Sequence, residues 1–197
     1  TADARNAYVV GTIEVNLTLG GRYSGQPVGN GGLFGPPLFG SLGAGNKRQV
    51  TILQVNDAAN AITNQQYFYG ITGGDFTRAT NARGISVWRT DSLLPETDRI
   101  AICGETYDDA LPLSQDPAGW AAANANHPSG FIAVFNGLGT LLWTHHFFDP
   151  ANRGEQDCAI TDVSIRVDAE GSDVVTYCGI SSHGSPAGGE LAPLLPF

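Results

Sequence analysis

The chain has 197 residues and a mass of 20.6 kDa, enough for one domain with a sizeable core or for a few units of a larger array. Hydrophobic residues make up 42% and charged residues 15%, and 26 glycines with 11 prolines give a turn-rich globular composition that excludes long helices. A formal net charge of -9 provides no basic patch to neutralise phosphates, which excludes nucleic acid as a partner and argues against an anionic membrane surface.

The chain opens at Thr1-Ala2-Asp3, contains no methionine and carries one lysine, Lys47. We expect an extracellular, cell-surface or periplasmic protein from which a leader has been removed. No apolar run reaches the roughly 18 residues of a membrane-spanning helix, so no transmembrane segment is expected. The first predicted strand lies in DARNAYVVGTI from Asp3, and it lacks a hairpin partner of its own. From Asn16 to Lys47 the chain turns rich in Gly, Pro and Asn, a long loop whose pairs Leu33-Phe34 and Leu38-Phe39 are apolar anchors for a partner or for the chain's own core.

Two β-hairpins follow, Ile52 to Phe68 and then ISVWRTD to RIAICGET. The first turns at Asn56-Asp57, residue types that tolerate the positive φ of tight turns. A second long loop, Tyr107 to Ser129, holds Trp120 in an expected short helical turn. Two further hairpins complete the pattern. Ile132 to Phe148 turns at Asn136-Gly137 and aligns without gaps on Ile52 to Phe68 at an offset of 80 residues, while VSIRVDAEGSD to VVTYCGIS places Cys178-Gly179 where the earlier hairpin has Cys103-Gly104. Gly11 of the opening strand matches Gly179.

Periodicity supports these strands. Val163 to Val167 alternates cleanly, as in a half-exposed strand, whereas Phe131 to Phe135 is apolar on both faces and is expected to be covered on both sides. The count is about nine strands in a single all-β domain over 1–197, with a partial unit 1–48, units 49–106 and 129–183, and a C-terminal tail 184–197.

Ile165, Val167, Asp168, Gly171, Val175, Thr176 and Gly179 in one hairpin, with Phe131, Ala133, Leu142 and Trp143 in the other, make the chain resemble the bacterial SBBP-type β-propeller repeat. The resemblance covers a little over half of the chain and implies four-stranded propeller blades, of which about two and a half are present, in an exported or surface-attached protein with no assigned active site. A β-sandwich is the alternative architecture. Fewer than four blades cannot close a propeller, so closure is expected from elsewhere.

Side chains that carry chemistry are few. His145 and His146 are adjacent on a strand and point to opposite faces, so they cannot chelate together, and His127 and His183 have no spaced partner. Cys103, Cys158 and Cys178 lack C-x-x-C spacing. A Cys158–Cys178 disulfide across the last hairpin is one expectation, and burial of Cys103 and Cys178 as small hydrophobes is another. Asp168, Glu170 and Asp173 around Gly171 form an oxygen-rich turn that suits calcium, although hairpin turns favour these residues without a metal. Beyond calcium no cofactor is expected. No nucleophile elbow, Walker loop, dinucleotide fingerprint or H-E-x-x-H motif occurs, and no catalytic residue is assigned. Trp120 and Trp143 suit either sugar stacking or core packing. The expectation is a non-catalytic scaffold or interaction protein, a subunit or fragment of a larger assembly that binds a protein partner or further copies of itself. The alternatives are a lectin-like, calcium-dependent module and an enzyme whose site forms between chains from His127, His145, Asp157 or His183.

Overall fold

Strand formation follows the apolar runs closely. The computed structural model describes residues 6–16, 46–56, 61–68, 80–90, 95–107, 111, 128–147 and 157–181. These contain nine strands: β1 (Asn6–Asn16), β2 (Asn46–Asn56), β3 (Ala61–Phe68), β4 (Thr80–Trp88), β5 (Arg99–Thr106), β6 (Ser129–Asn136), β7 (Leu141–Phe147), β8 (Cys158–Val167) and β9 (Asp173–Ser181). A 3-10 turn at Pro95–Thr97 precedes β5, and no α-helix occurs among the described residues. The described residues are therefore all-β.

The strands form three antiparallel sheets, none of them closed: β1-β2-β3, β4-β5-β6-β7 and β8-β9. Each hairpin of the sequence is present, but the units 49–106 and 129–183 do not coincide with the sheets. β5 pairs on one edge with β4 and on the other with β6, across the long 107–128 connection. A sheet boundary therefore falls between β3 and β4 and another between β7 and β8, inside the expected units.

The central sheet is covered on both faces. Ile100, Ile102, Phe131, Ala133 and Phe135 pack with Val50, Ile52, Tyr8 and Val10 of the first sheet. On the other face Ala101, Cys103, Ile132, Val134 and Phe147 pack with Cys158, Ile160, Val163, Ile165, Val175 and Tyr177 of the third. This is the physical reason that Phe131 to Phe135 has no polar alternation, and each of its large side chains contributes about 1.5–3 kcal/mol by burial. β8 and β9, with one face outward, keep the alternation.

Register shows which strands correspond. Val10 pairs with Ile52 in the first sheet, as Cys103 pairs with Ile132 in the central one. Both sheets then bulge at one place, after Gln54 and after Val134. Beyond that point the ungapped alignment slips by one residue. Gln54 pairs with Asn64 and Val134 with Trp143, so Phe68 corresponds to Phe147 and not to Phe148. The β4-β5 and β8-β9 hairpins also share a bulge, since Ala82 faces Gly104 and Gly84 faces Cys103, just as Ile160 faces Gly179 and Asp162 faces Cys178.

Candidate functional site

The β8-β9 turn carries the calcium candidates, and two of their three carboxylates, those of Asp168 and Asp173, already have protein partners. Asp168 Oδ1 accepts hydrogen bonds from the backbone N–H groups of Glu170 at 3.1 Å and Ser172 at 2.8 Å. Gly171, at φ +86°, closes the turn with a bond from its N–H to the Asp168 carbonyl. The β6-β7 turn has the same design, with Asn136 Oδ1 accepting from Leu138 and Thr140 and Gly139 at φ +82°. The glycine that needs positive φ there is Gly139, three residues after Asn136, rather than Gly137 in the expected Asn-Gly pair.

Asp173 lies on the inner face of the third sheet and reaches across to the central one. Its Oδ1 accepts from Arg99 Nε at 2.8 Å and its Oδ2 from Trp143 Nε1 at 2.8 Å. The same guanidinium donates through Nη1 to the carbonyls of Glu96, Thr97 and Asp98, tying down the 3-10 turn. Trp143 is thus engaged as part of a clamp between sheets. Arg99 was not singled out by sequence, because nothing local marks an arginine at a strand start as the partner of an aspartate 74 residues away. Among the described residues no three His, Cys, Asp or Glu side chains are grouped so as to hold a metal ion.

The cysteines are all free thiols. The expected Cys158–Cys178 bridge is not formed. Cys158 pairs with Ser181, three positions beyond Cys178, which displaces the two by about 10 Å along the ladder, past the reach of a disulfide. Cys103 is buried, and loss of solvation, reinforced by Asp162, pushes its thiol up to about 12. Cys178 is exposed, contrary to the expectation that it would be buried like Cys103, because it lies on the outer face of the third sheet.

His145 and His146 lie opposite Ile132 and Phe131 in the ladder, and so on opposite faces of the central sheet, in its two separate interfaces. Both are buried, and the His145 ring meets Phe147 edge to face at 4.9 Å. Asp157 is exposed just ahead of β8. Leu33, Phe34, Leu38, Phe39, Trp120, His127 and His183 lie outside the described residues.

Two outward faces remain, one at each end of the stack. Val9, half exposed on the first sheet, and Ile180, 63% exposed on the third, are the exposed large hydrophobics among the described residues. Ile180 shares the outer face of β9 with Thr176 and Cys178, in period-2 spacing. No helix among the described residues is long and apolar enough to cross a membrane. Compared with known proteins, the chain matches no family model and no curated protein.

Proposed function

We propose that this protein is a non-catalytic, exported or surface-attached scaffold that works by binding protein, as one subunit of a larger assembly built from propeller-type hairpin units. The observation that carries the reading is the stack of sheets whose two end faces expose Val9 and Ile180. On the first sheet Val9 belongs to a contiguous apolar set with Ala7, Leu53 and Val55, and such a patch gains from being covered. Further support comes from the central sheet, β4-β5-β6-β7, which has four antiparallel strands, the number that the SBBP-type resemblance implies for one blade. The side chains with most chemical capacity, Arg99, Asp173, Trp143 and Cys103, are engaged in joining sheets or packed between them.

A glycan array probed with and without a calcium chelator, alongside cross-linking of the protein on intact cells, tests the proposal. Cross-links to protein with no chelator-sensitive glycan signal are expected. Calcium-dependent sugar binding overturns the scaffold reading and supports a lectin-like module.

A further inference from the structure

We infer that copies of this chain dock head to tail, with the outer face of the first sheet of one copy seated on the outer face of the third sheet of the next. The inference rests on the interaction reading above and names its partner, a second copy of this chain.

The register supplies the argument. Aligning Val10-Ile52 with Cys103-Ile132 places Ala7, Val9, Leu53 and Val55 where the central sheet has Ile100, Ile102, Ala133 and Phe135. In the central sheet that set is fully buried against the first sheet. In the first sheet the equivalent set faces outward, with Ala7 exposed, Val9 at 50% exposure, and Leu53 and Val55 half-buried. It is a face of the kind that is covered elsewhere in the same molecule.

The third sheet shows the converse. Ser164, Thr176 and Cys178 stand where the central sheet has Ser86, Ala101 and Cys103. Ala101 and Cys103 are buried against the third sheet, and Ser86 Oγ accepts a hydrogen bond from Ile165 N at 3.2 Å across that interface. Their counterparts on the third sheet are exposed, with Ile180 beside them. One stacking step is thus made twice within the chain, central sheet on first and third sheet on central. The two outward faces are the unused halves of that step, and repeating it between copies joins the first sheet of one to the third sheet of another.

Such an interface is heterologous, because the two surfaces in contact differ, and it continues until a ring closes or a filament grows. A second copy is favoured over an unrelated partner because both halves of an interface already made twice are present on every chain.

Sedimentation of the wild-type chain, of Val9→Arg, of Ile180→Arg and of an equal mixture of the two variants tests the inference. Wild type is expected to exceed 20.6 kDa as concentration rises. Each variant keeps one good face and has nothing to seat it on, so each alone is expected to remain at 20.6 kDa. The mixture unites the intact third sheet of Val9→Arg with the intact first sheet of Ile180→Arg and is expected to yield a capped dimer of twice that mass. Recovery on mixing also shows that both variants are folded. A wild type that stays monomeric, a variant that still dimerises alone as a two-fold contact requires, or a mixture that fails to recover overturns head-to-tail docking. A monomeric wild type that cross-links to a different surface protein overturns the docking alone, whereas calcium-dependent glycan capture by a monomer removes the interaction reading as well.

Discussion

Asp173 of the third sheet holds Arg99 of the central sheet, its Oδ1 accepting from the guanidinium Nε at 2.8 Å while its other oxygen takes the indole N–H of Trp143. Side-chain exposures of 20% for Arg99 and 15% for Asp173 leave the pair partly desolvated, so removing one partner leaves the other charge without its counter-charge. Asp173→Ala is expected to cost about 2–4 kcal/mol in urea unfolding. Asp173→Asn, whose amide oxygen still accepts from Trp143, is expected to cost less. By contrast Arg83, paired with Glu105 at 2.9 Å, is 49% exposed, and Glu105→Gln is expected to cost less than about 1 kcal/mol.

Gly104 and Gly179 occupy matching places opposite the bulges of β4 and β8. A Cβ on Gly104 would overlap the carbonyl oxygen of Asn81, and one on Gly179 would come 2.5 Å from the carbonyl oxygen of Ala159. Backbone cannot swing aside as a flexible side chain does. Gly104→Ala is therefore expected to destabilise by about 3 kcal/mol or to prevent folding. Gly11→Ala, where nothing lies within 4 Å of the new methyl, is expected to stay within about 0.5 kcal/mol of wild type. Thermal melts of the two variants side by side check the contrast.

Much of the β architecture was legible because alternation and turn chemistry are local. Val163 to Val167 announced its one-sided exposure and Phe131 to Phe135 its two-sided burial, and both follow from period-2 patterning. What local pattern does not carry is pairing between hairpins. The sequence units ended at residue 106, whereas β5 bonds β6 across a long connection, and register alone shows it. The one-residue slip at Phe68 had the same origin, since a bulge shifts pairing without changing the apolar run. The Asp173 clamp needed tertiary distance to be seen at all. Asp173 was marked as acidic, but its partners lie 74 and 30 residues away.

Calcium and turn chemistry separate cleanly at Asp168. Its Oδ1 accepts two backbone N–H groups, so Asp168→Ala is expected to cost about 1 kcal/mol through the turn alone. With Asp168 and Asp173 both engaged, adding calcium or chelator is expected to leave the melting temperature of the wild type unchanged. A calcium-dependent rise that disappears in Asp168→Ala would instead assign this turn as a cation site.

Thiol chemistry reports on the packing of the central sheet. Cys103 and Cys158 are buried and Cys178 is exposed, so a colorimetric thiol reagent on dilute native protein is expected to titrate one thiol promptly and the other two only after unfolding. Burial, with Asp162 nearby, raises the folded Cys103 thiol from 9.0 to about 12. Below the unfolded value both states hold the proton, and Cys103 adds no pH dependence there. Between about 9 and 12 the unfolded chain loses that proton while the folded chain keeps it, so stability falls as pH rises, by up to about 1.4 kcal/mol per unit from this group. Burial pushes Cys158, Tyr8 and Tyr177 upward as well, which adds to the same slope. In urea titrations across that range Cys103→Ala is expected to start less stable than wild type and to lose stability less steeply. An unchanged slope would mean that the Cys103 thiol ionises as readily in the folded sheet as in the unfolded chain, and that the third sheet does not exclude water from it.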